Sequence, residues 1–334
     1  MTKVDIISGF LGAGKTTFIK KLIDQVFTGE KLVLIENEFG EIGIDGGFLK
    51  DAGIEITEMN SGCICCTLVG DFSKALQKVL AEYQPDRVII EPSGVGKLSD
   101  IVRAIEDVKK DAEIEIDGRI TVVDGKKAKL YLKNFGEFFE DQVKHASTIV
   151  VSRTQMMTDE KVEECIHMLR DENADAAIIS TPWEQLSKDA IWHALEHGAE
   201  IEGLLEEEHG HHHDHEECCE HDHHHHDHEE CCEHDHHHHH HHADEVFTSW
   251  GKETAHKYTE EELDFLVKAL SETDSYGTIL RSKGIVPMTD GTWKQFDLVP
   301  EEYEVRDGQA DYTGRVCVIG TDLKEDELLK LFHI

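Results

Sequence analysis

The sequence is poor in basic residues and has no long apolar run. Its 334 residues include 33 Lys and Arg against 70 Asp and Glu, which gives a formal net charge of −37. So negative a surface repels nucleic acids and anionic lipids, and no apolar stretch approaches the length of a membrane span. We therefore exclude nucleic acids and membranes as partners, whereas the same field attracts cations. The length suits two domains.

A phosphate-binding loop lies near the start of the chain. The stretch Gly9–Thr17 fits the pattern G-x-x-x-x-G-K-[ST] and stands between a short apolar strand and an amphipathic helix. Glycines let backbone N–H groups turn towards phosphates, which the positive end of the helix also attracts. Lys15 is expected to reach the β- and γ-phosphates, and Thr16 to bind Mg²⁺. The predicted nucleotide-binding residues are Gly9, Gly12, Ala13, Gly14, Lys15, Thr16 and Thr17.

Residues 87–91 form a second apolar strand, which ends in the acid Glu91. In P-loop proteins, a strand beside the phosphate-binding loop ends in an acidic residue near Mg²⁺. We expect Glu91 to lie near Mg²⁺ or the attacking water, which makes Lys15 and Glu91 the catalytic candidates. Gly94 follows and would let its backbone N–H approach the γ-phosphate. The alternative is a glutamate that merely caps a core strand.

Three thiols fall within four residues, at Cys63, Cys65 and Cys66. Nothing at the N-terminus resembles a signal peptide, so we expect a cytoplasmic protein. In that reducing compartment clustered thiols bind metals or act in catalysis more often than they form disulfides. Thiolates select Zn²⁺, Cu(I) or iron–sulfur centres and accept Co²⁺ or Ni²⁺. Small buried cysteines are the alternative.

An acidic loop punctuated by glycine follows the predicted strand 31–36 and carries Glu36, Glu38, Glu41 and Asp45. It falls at the C-terminal edge of a parallel sheet, where ligands bind in open α/β folds. The loop can therefore reach either Mg²⁺ or the thiol cluster. An ordinary solvated loop is the competing interpretation.

A histidine-rich insert precedes the last ninety residues. Residues 206–242 hold 19 of the 25 His, no Lys or Arg, and a perfect 13-residue duplication with one Cys-Cys pair in each copy. Such a composition cannot bury a core and predicts disorder without metal. Imidazole suits Zn, Cu and Ni, and paired thiols favour soft metals, so the insert is interpreted as a metal reservoir. Its predicted ligands include Cys218, Cys219, His221, Cys231, Cys232 and His234.

Strands and helices alternate through the first 200 residues, which predicts an α/β P-loop NTPase fold with a mostly parallel sheet flanked by helices. The expected strands are 3–8, 31–36, 54–58, 87–91, 119–123, 148–152 and 176–180, and the expected helices are 15–26, 68–82, 97–110, 137–146, 158–171 and 184–197. We divide the chain into an NTPase domain (1–203), the insert (204–243) and a small α+β domain (244–334). In the last, residues 281–284 are expected to form a basic turn, with an ordinary solvated loop as the equal alternative.

Taken together, Gly9–Thr17, Glu36–Asp45, Cys63–Cys66 and Glu91–Gly94 resemble the CobW-type GTPases, relatives of the nickel chaperones UreG and HypB. The likeness covers roughly residues 1–200 and, more weakly, the C-terminal ninety residues. It implies a GTP-hydrolysing metallochaperone or metal insertase that uses Mg²⁺ and delivers Zn²⁺, Co²⁺ or Ni²⁺ to a client apo-metalloenzyme.

The resemblance also assigns the cargo-metal ligands. It implies that Cys63, Cys65 and Cys66 hold the transition metal, with Glu36 and Glu41 as accessory ligands. It implies a C-terminal sheet with helices on one face, involved in recognising the client. Whether the protein forms a homo-oligomer is left open.

One motif departs from the family pattern. The base-specificity motif is usually Asn-Lys-x-Asp, whereas this chain reads Ser152-Arg153-Thr154-Gln155. An Asp carboxylate accepts hydrogen bonds from both guanine N–H groups, and charge-assisted bonds are about twice as strong as the neutral bond that Gln155 offers. We expect Ser152 and Gln155 beside the base, with GTP preferred over ATP through help from the loop 180–183.

Two other functions fit the same residues. A P-loop kinase for a small molecule, with an incidental zinc site, would transfer phosphate to a metabolite instead of water. A passive metal buffer would store metal in the insert and use the GTPase fold to control oligomerisation. Replacing the three clustered thiols by Ser would leave the delivery of metal by such a buffer unchanged.

Overall fold

The computed structural model describes residues 1–37, 55–59, 69–195, 246–311 and 313–334. Within these ranges, no helix combines the length and the apolar character that crossing a bilayer requires. The thiol cluster, the histidine-rich insert and the acidic loop beyond Asn37 lie outside the described residues.

The N-terminal half is built on a parallel sheet in which all seven predicted strands are present. Their order across the sheet is β3-β2-β4-β1-β5-β6-β7. Adjacent residues of one strand are buried on opposite faces: Ile6 joins one apolar cluster and Ile7 the other. Both faces are covered, which explains the uninterrupted apolar runs. The strands are β1 (Thr2–Ser8), β2 (Leu32–Asn37), β3 (Glu55–Met59), β4 (Arg87–Glu91), β5 (Ile114–Asp124), β6 (Thr148–Ser152) and β7 (Ala177–Ile179).

Helices connect these strands. They are α1 (Lys15–Lys21), α2 (Val69–Tyr83), α3 (Leu98–Lys109), α4 (Ala128–Lys144) and α5 (Asp159–Glu172), and residues 188–195 are also helical. The predicted helix 15–26 ends in a π-helical turn at Leu22–Val26. The start predicted for α4 at residue 137 is wrong, because burial of Tyr131 extends the helix through a kink at Phe135, beside Gly136.

The C-terminal domain is a five-stranded antiparallel sheet in the order β11-β10-β9-β12-β8. It contains β8 (Thr248–Thr254), α6 (Glu260–Glu272), β9 (Thr278–Pro287), β10 (Trp293–Val299), β11 (Glu302–Asp307), β12 (Gly314–Thr321) and α7 (Glu325–Leu331). The expected basic turn at residues 281–284 is wrong. Those residues lie in the middle of β9 and pair with β10 and β12, because the sheet buries their polar side chains, Ser282 and Lys283 included.

The two faces of this C-terminal sheet pack against different partners. Along β12, Val316 and Val318 face the core formed with α6 and α7, whereas Cys317 and Ile319 join the core of the N-terminal domain. Phe247 completes the second contact, with its ring centroid 5.0 Å from that of Phe138. The helices therefore cover one face of the sheet, as the resemblance implies, and the NTPase domain covers the other.

Candidate functional site

The loop between β1 and α1 turns through three glycines with positive φ angles, Gly9 at 142°, Gly12 at 69° and Gly14 at 102°. A Cβ atom on Gly9 would lie 2.2 Å from the carbonyl oxygen of Val122, so a side chain has no space there. Successive N–H groups in turns of this kind form a concave site for anions. Within the turn, the buried Ala13 donates its N–H to the carbonyl of Phe10 at 3.2 Å, while Thr17 is exposed.

Lys15 folds back over this loop. Its side chain is buried, and Nζ donates to the carbonyl oxygens of Gly9 at 3.0 Å and Phe10 at 3.4 Å. The ammonium group is therefore held at the opening of the loop, where the motif requires a positive charge for the β- and γ-phosphates.

Thr16 and Glu91 meet beside the loop although they are far apart in sequence. The Thr16 hydroxyl lies 3.2 Å from Oε1 and 3.3 Å from Oε2 of Glu91. Parallel pairing of β1 with β4 produces this contact, because it brings the C-terminal ends of both strands to one edge of the sheet. A hydroxyl and a carboxylate are hard oxygen donors, so these residues fit Mg²⁺.

Glu36 stands at the same edge, one strand further along. Its Cα pairs in register with that of Glu91 on β4 and with that of Glu58 on β3. Its side chain is only 6 % exposed. Neighbouring strands lie about 4.8 Å apart, so Glu36 and Glu91 form an acidic pair beside the candidate Mg²⁺ position.

The other predicted metal ligands fall outside the described residues. This applies to Glu41 and to the thiol cluster, which follow β2 and β3 in the chain, and to the insert. The residues concerned are Glu41, Cys63, Cys65, Cys66, Cys218, Cys219, His221, Cys231, Cys232 and His234. Their participation in a metal site stays a prediction.

Gly94 supports the phosphate loop from below. A Cβ at this position would lie 2.9 Å from the backbone nitrogen of Leu11, so close approach of the two backbones requires glycine. Gln142 of α4 fixes the segment by donating to the carbonyl oxygens of Gly94 at 3.3 Å and Gly96 at 2.7 Å. The segment after β4 is thus packed directly against the phosphate loop, and approach of the Gly94 N–H to the γ-phosphate stays a prediction.

The base-specificity motif begins where β6 ends. Ser152 is buried and donates to the carbonyl oxygen of Val123 at 3.3 Å, whereas Gln155 is exposed on the short turn Thr154–Met156. Arg153 occupies the position of the usual lysine and donates to the Gly12 carbonyl at 3.1 Å. It also forms an ion pair with the buried Asp124. Arg153 therefore ties this motif to the phosphate loop.

Trp183 lies beside the same loop. A Cβ on Gly14 would lie 3.3 Å from its ring, and its indole nitrogen donates to the Val151 carbonyl at 3.2 Å. Its ring centroid is 5.4 Å from that of Phe18 on α1. The loop 180–183, predicted to aid base selection, thus stands next to the predicted nucleotide-binding residues.

A cleft of about 470 Å³ opens between the phosphate loop and the C-terminal sheet. One wall includes Lys15, Thr16 and Glu91, and the other includes Arg281, Asp297, Tyr303 and Arg306. Lys127 joins the two domains here, because its buried ammonium donates to the Pro300 carbonyl at 2.7 Å. Sequence reasoning missed this wall, since no motif marks a contact between residues 173 positions apart.

Charges in the cleft are held in pairs. Arg281 contacts Asp297 through two nitrogens, at 3.4 and 2.9 Å. Burial alone would raise the pKa of Asp297, but Arg281 and Lys283 outweigh it and lower that pKa, so the carboxylate stays charged. Burial, partly offset by Asp124 and Glu302, lowers the pKa of Lys127. Away from the cleft, burial raises the pKa of Cys165 to about 11, in keeping with a structural thiol.

A parallel sheet with this loop after its first strand and an acid after a neighbouring strand defines a P-loop nucleotide-binding protein. The chain belongs to the CobW/HypB/UreG family: the model of that family's nucleotide-binding domain matches residues 3–180, and the model of the cobalamin synthesis protein cobW C-terminal domain matches residues 247–333. The expected family is confirmed, and so is the fold class.

Named relatives are similar over parts of the chain. It is 36% identical over 182 residues to the zinc chaperone CobW of a Sinorhizobium species (46% of this chain, 51% of the relative). It is 31% identical over 179 residues to the Escherichia coli zinc chaperone YeiR (54% of this chain, 55% of the relative). The chain thus spans about half the length of these two relatives.

A longer match joins the chain to the zinc-regulated GTPase metalloprotein activator 1 of Schizosaccharomyces pombe, at 25% identity over 321 residues (90% of this chain, 76% of the relative). Among solved structures, the Zn(II)-bound YjiA GTPase from E. coli superposes with a TM-score of 0.43 at 20% identity, covering 99% of this chain and 98% of the other.

Proposed function

We propose that this protein is a GTP-hydrolysing metallochaperone. It binds a transition metal at Cys63, Cys65 and Cys66, with Glu36 and Glu41 as accessory ligands, and delivers it to a client apo-metalloenzyme. The names of the relatives, two zinc chaperones and a zinc-regulated activator, support Zn²⁺ as the cargo ahead of Co²⁺ or Ni²⁺. GTP is the expected nucleotide.

One observation carries the proposal: a short path links the nucleotide site to the predicted metal site. Thr16, the candidate Mg²⁺ ligand, contacts Glu91, and Glu36 pairs in register with Glu91 on the next strand. Glu36 is also the last described side chain before the acidic loop in which Glu41 falls. A structural change at the γ-phosphate would therefore pass through Thr16 and Glu91 before it affects Glu36, a proposed ligand of the cargo metal.

Each step of the proposed mechanism is assigned to residues of this chain. The glycines and Lys15 bind the phosphates, and Glu91 holds the Thr16 hydroxyl in position. When bound, Mg²⁺ neutralises charge on the phosphates. In this proposal the γ-phosphate acts on Glu91 and on the segment at Gly94. Through these residues it favours the arrangement of the acidic loop and the thiol loop that binds the metal. Hydrolysis releases both loops and the cargo.

This control of metal binding by the nucleotide, here called the gate, obeys thermodynamic linkage between the two binding sites. The nucleotide can control the metal only if GTP and GDP bind the metal-competent state with different affinities. Reciprocity then requires the metal to tighten GTP binding by the factor by which GTP tightens metal binding. Typical couplings of about 1–3 kcal/mol correspond to roughly 5–150-fold.

Cobalt spectroscopy tests the gate on the full chain. Replacing Cys218, Cys219, Cys231 and Cys232 by Ser leaves the thiol cluster as the source of sulfur-to-cobalt bands, because Cys165 and Cys317 are buried in the core. We expect the Co²⁺ affinity reported by those bands to rise when GDP is exchanged for a non-hydrolysable GTP analogue. Equal affinity with both nucleotides rules the gate out. Cys63→Ser in the same background is the control for the origin of the bands.

The two rival functions predict different results in companion assays. A small-molecule kinase transfers the γ-phosphate to a metabolite, so phosphate release to water that accelerates with metal argues against it. A passive buffer keeps delivering metal after Cys63, Cys65 and Cys66 are changed to Ser. Loss of delivery in that variant, with total metal content retained by the insert, supports the gated site.

The insert is assigned a supporting role as a local reservoir. A flexible coil of about forty residues has an expected span of roughly 35 Å, so the length of the insert supports transfer of metal to the thiol cluster of the same molecule. Replacing residues 206–242 by a Gly-Ser segment of equal length keeps the reach and removes the ligands. The reservoir idea predicts a lower metal content and slower delivery at limiting zinc, and unchanged values for both contradict it.

A further inference from the structure

A cluster of three metal-ligating side chains lies in the C-terminal domain, among helices and loops on the face of the sheet that packs away from the NTPase domain. His256 follows β8, Glu262 belongs to the first turn of α6, and His333 follows α7. One ligand atom from each residue lies within 4.8 Å of the other two. No sequence motif predicts the cluster, because its members come from three separate segments.

The backbones that carry the two histidines are fixed to each other. Tyr258, two residues after His256, is fully buried and donates its hydroxyl to the carbonyl of Phe332 at 2.7 Å. Phe332 is also fully buried, and His333 follows it at a left-handed φ of 56°. The pair is therefore held in place by the domain core and does not depend on a chance meeting of two mobile side chains.

The two imidazoles are stacked, with ring centroids 4.5 Å apart and an interplanar angle of 28°. Nε2 of His256 is buried but has no hydrogen-bond partner among the residues that the structure describes. A buried polar nitrogen without a partner is unfavourable by about 1–3 kcal/mol, unless something else binds it. A metal ion beside Nε2 removes that penalty.

Glu262 supplies a carboxylate that is already held in position. Its Oε2 accepts hydrogen bonds from the N–H of Thr259 at 2.8 Å and from the Thr259 hydroxyl at 3.2 Å, which completes the capping box of α6. The same oxygen lies 3.7 Å from Nε2 of His256. A carboxylate has about four lone-pair positions, so capping leaves capacity to bind a metal.

We propose that His256, Glu262 and His333 form a binding site for a divalent transition metal, with Zn²⁺ as the matching ion. Two imidazoles and one carboxylate are a ligand set that zinc accepts, with a fourth position left open. Tetrahedral zinc with bonds of about 2.1 Å places its ligand atoms about 3.4 Å apart. The ligand atoms, which lie within 4.8 Å of one another, close by at most about 1.4 Å when the side chains rotate and the stacked rings turn their lone pairs towards the ion. This gives the C-terminal domain a metal site of its own, separate from the thiol cluster and the insert.

Chemical labelling of His333 tests the site on the full chain. Its side chain is exposed and open to diethyl pyrocarbonate, and the tryptic peptide that starts at Leu331 contains no other histidine. Free Zn²⁺ is set with a zinc buffer, so that the histidines of the insert do not deplete it. At zinc concentrations that occupy about nine sites in ten, labelling of His333 is expected to slow about tenfold, because a metal-bound nitrogen has no lone pair for the reagent.

Two variants separate a shared site from independent weak binding. Glu262→Gln keeps the capping box, which accepts Gln at this position, but removes the anionic ligand. His256→Gln removes the imidazole neighbour. Each is expected to raise the zinc concentration needed to protect His333 by at least about 10–100-fold, the loss typical of disturbing a zinc ligand's support.

His167 provides the matched control. It is exposed and is the only histidine in its tryptic peptide, and within the described ranges its one ion-pair partner is Glu163 at 3.9 Å. Its labelling should not change over the zinc range that protects His333. The proposal is overturned if zinc leaves the labelling of His333 unchanged, or if both variants retain the protection of the unmodified chain. Equal unfolding midpoints of the zinc-free proteins confirm that the variants fold.

Discussion

The hydroxyl of Thr16 lies within hydrogen-bonding distance of both carboxylate oxygens of Glu91, at 3.2 and 3.3 Å. Thr16 is the last residue of the phosphate-loop motif, and Glu91 is the last residue of the neighbouring strand β4. This contact joins the phosphate loop to the sheet edge where Glu36 stands in register with Glu91. A defect at Glu91 should therefore affect hydrolysis and cargo binding together.

Glu91→Gln keeps the shape and the hydrogen-bonding capacity of the side chain but removes its charge. We expect Mg²⁺-dependent GTP hydrolysis to fall by roughly 10²–10³-fold, the loss typical of removing one group that stabilises or positions the reacting centre. GDP affinity measured without Mg²⁺ should stay constant. Glu115→Gln is the control, because Glu115 is exposed near the N-terminal end of β5, at the edge of the sheet opposite to Glu91. Equal loss in both variants, or none in Glu91→Gln, contradicts the assignment.

Base selection can be tested by restoring the missing acid. Gln155→Asp places a carboxylate on the exposed turn Thr154–Met156, where it can accept from both N–H groups of guanine. Hydrogen bonds to charged groups contribute about 1.5–3 kcal/mol, so the preference for GTP over ATP should rise roughly 10–100-fold in competition binding. Met156→Asp adds the same charge one residue away, on a side chain that is 61 % exposed. If both variants shift the ratio equally, Gln155 does not contact the base.

The contact between domains at the phosphate loop can be measured as a coupling energy. A Cβ on Gly12 would lie 2.4 Å from Cγ1 of Val299 and would also sit at a φ of 69°. Gly12→Ala should therefore lower the free energy of unfolding by about 1–3 kcal/mol, and Val299→Ala in the same chain should recover part of it. Chemical denaturation of the two single variants and the double variant gives the cycle.

Gly29→Ala isolates the backbone contribution to that result. Gly29 also has a positive φ, 90°, but apart from its chain neighbours no atom of the described part of the protein lies within 4 Å of the position that its Cβ would take. Its substitution reports strain alone. If Gly12→Ala is no more destabilising than Gly29→Ala, and Val299→Ala recovers nothing, the two domains are not in contact at the loop in solution.

Much of the N-terminal fold is predictable because buried parallel strands are uninterrupted apolar runs. The strand 87–91 is an example, and its terminal acid was assigned to the nucleotide site from sequence alone. By contrast, the edge strand β11 (Glu302–Asp307) has mostly exposed, charged side chains, so no apolar pattern marks it in the sequence. A strand of this kind is fixed by its hydrogen bonds to β10, which the sequence does not record.

The candidate site divides in the same way. The phosphate loop has a motif because backbone geometry demands glycine at fixed positions, so the spacing of Gly9 and Gly14 is enough to assign both residues. The second wall of the cleft has none. Lys127 meets Pro300, and Arg281 pairs with Asp297, only because one face of the C-terminal sheet docks on the NTPase domain. Long-range packing of this kind leaves no local periodicity to read.

A buried charge cluster lies under β1, at the opposite end of the sheet from the phosphate loop. The guanidinium of Arg87 is in contact with Asp5, with Glu30 at 2.6 Å and with Asp117 at 2.8 Å. Lys3 adds a second positive charge, 3.0 Å from Asp117. Three carboxylates thus face two cations. Asp5 is the most deeply buried of the three, so it keeps a proton most easily. Burial raises the pKa of Asp5 to about 7, against the opposing effect of Arg87.

This raised pKa makes stability depend on pH with a definite sign. In the unfolded chain Asp5 loses its proton near pH 3.8, whereas the folded protein keeps it until about pH 7. The contribution of Asp5 to stability is therefore present in full below pH 3.8 and is lost as the pH rises through 7. Asparagine imitates the protonated form, so the unfolding free energy of the unmodified protein should decline relative to Asp5→Asn over this range, by at most about 1.4 kcal/mol per pH unit. Denaturation of both proteins at several pH values measures the difference, in which contributions common to the two proteins cancel, and Asp24→Asn on the exposed surface is the matched control. A gain of the unmodified protein on Asp5→Asn with rising pH would mean that Arg87 outweighs burial and that Asp5 is ionised in the folded state.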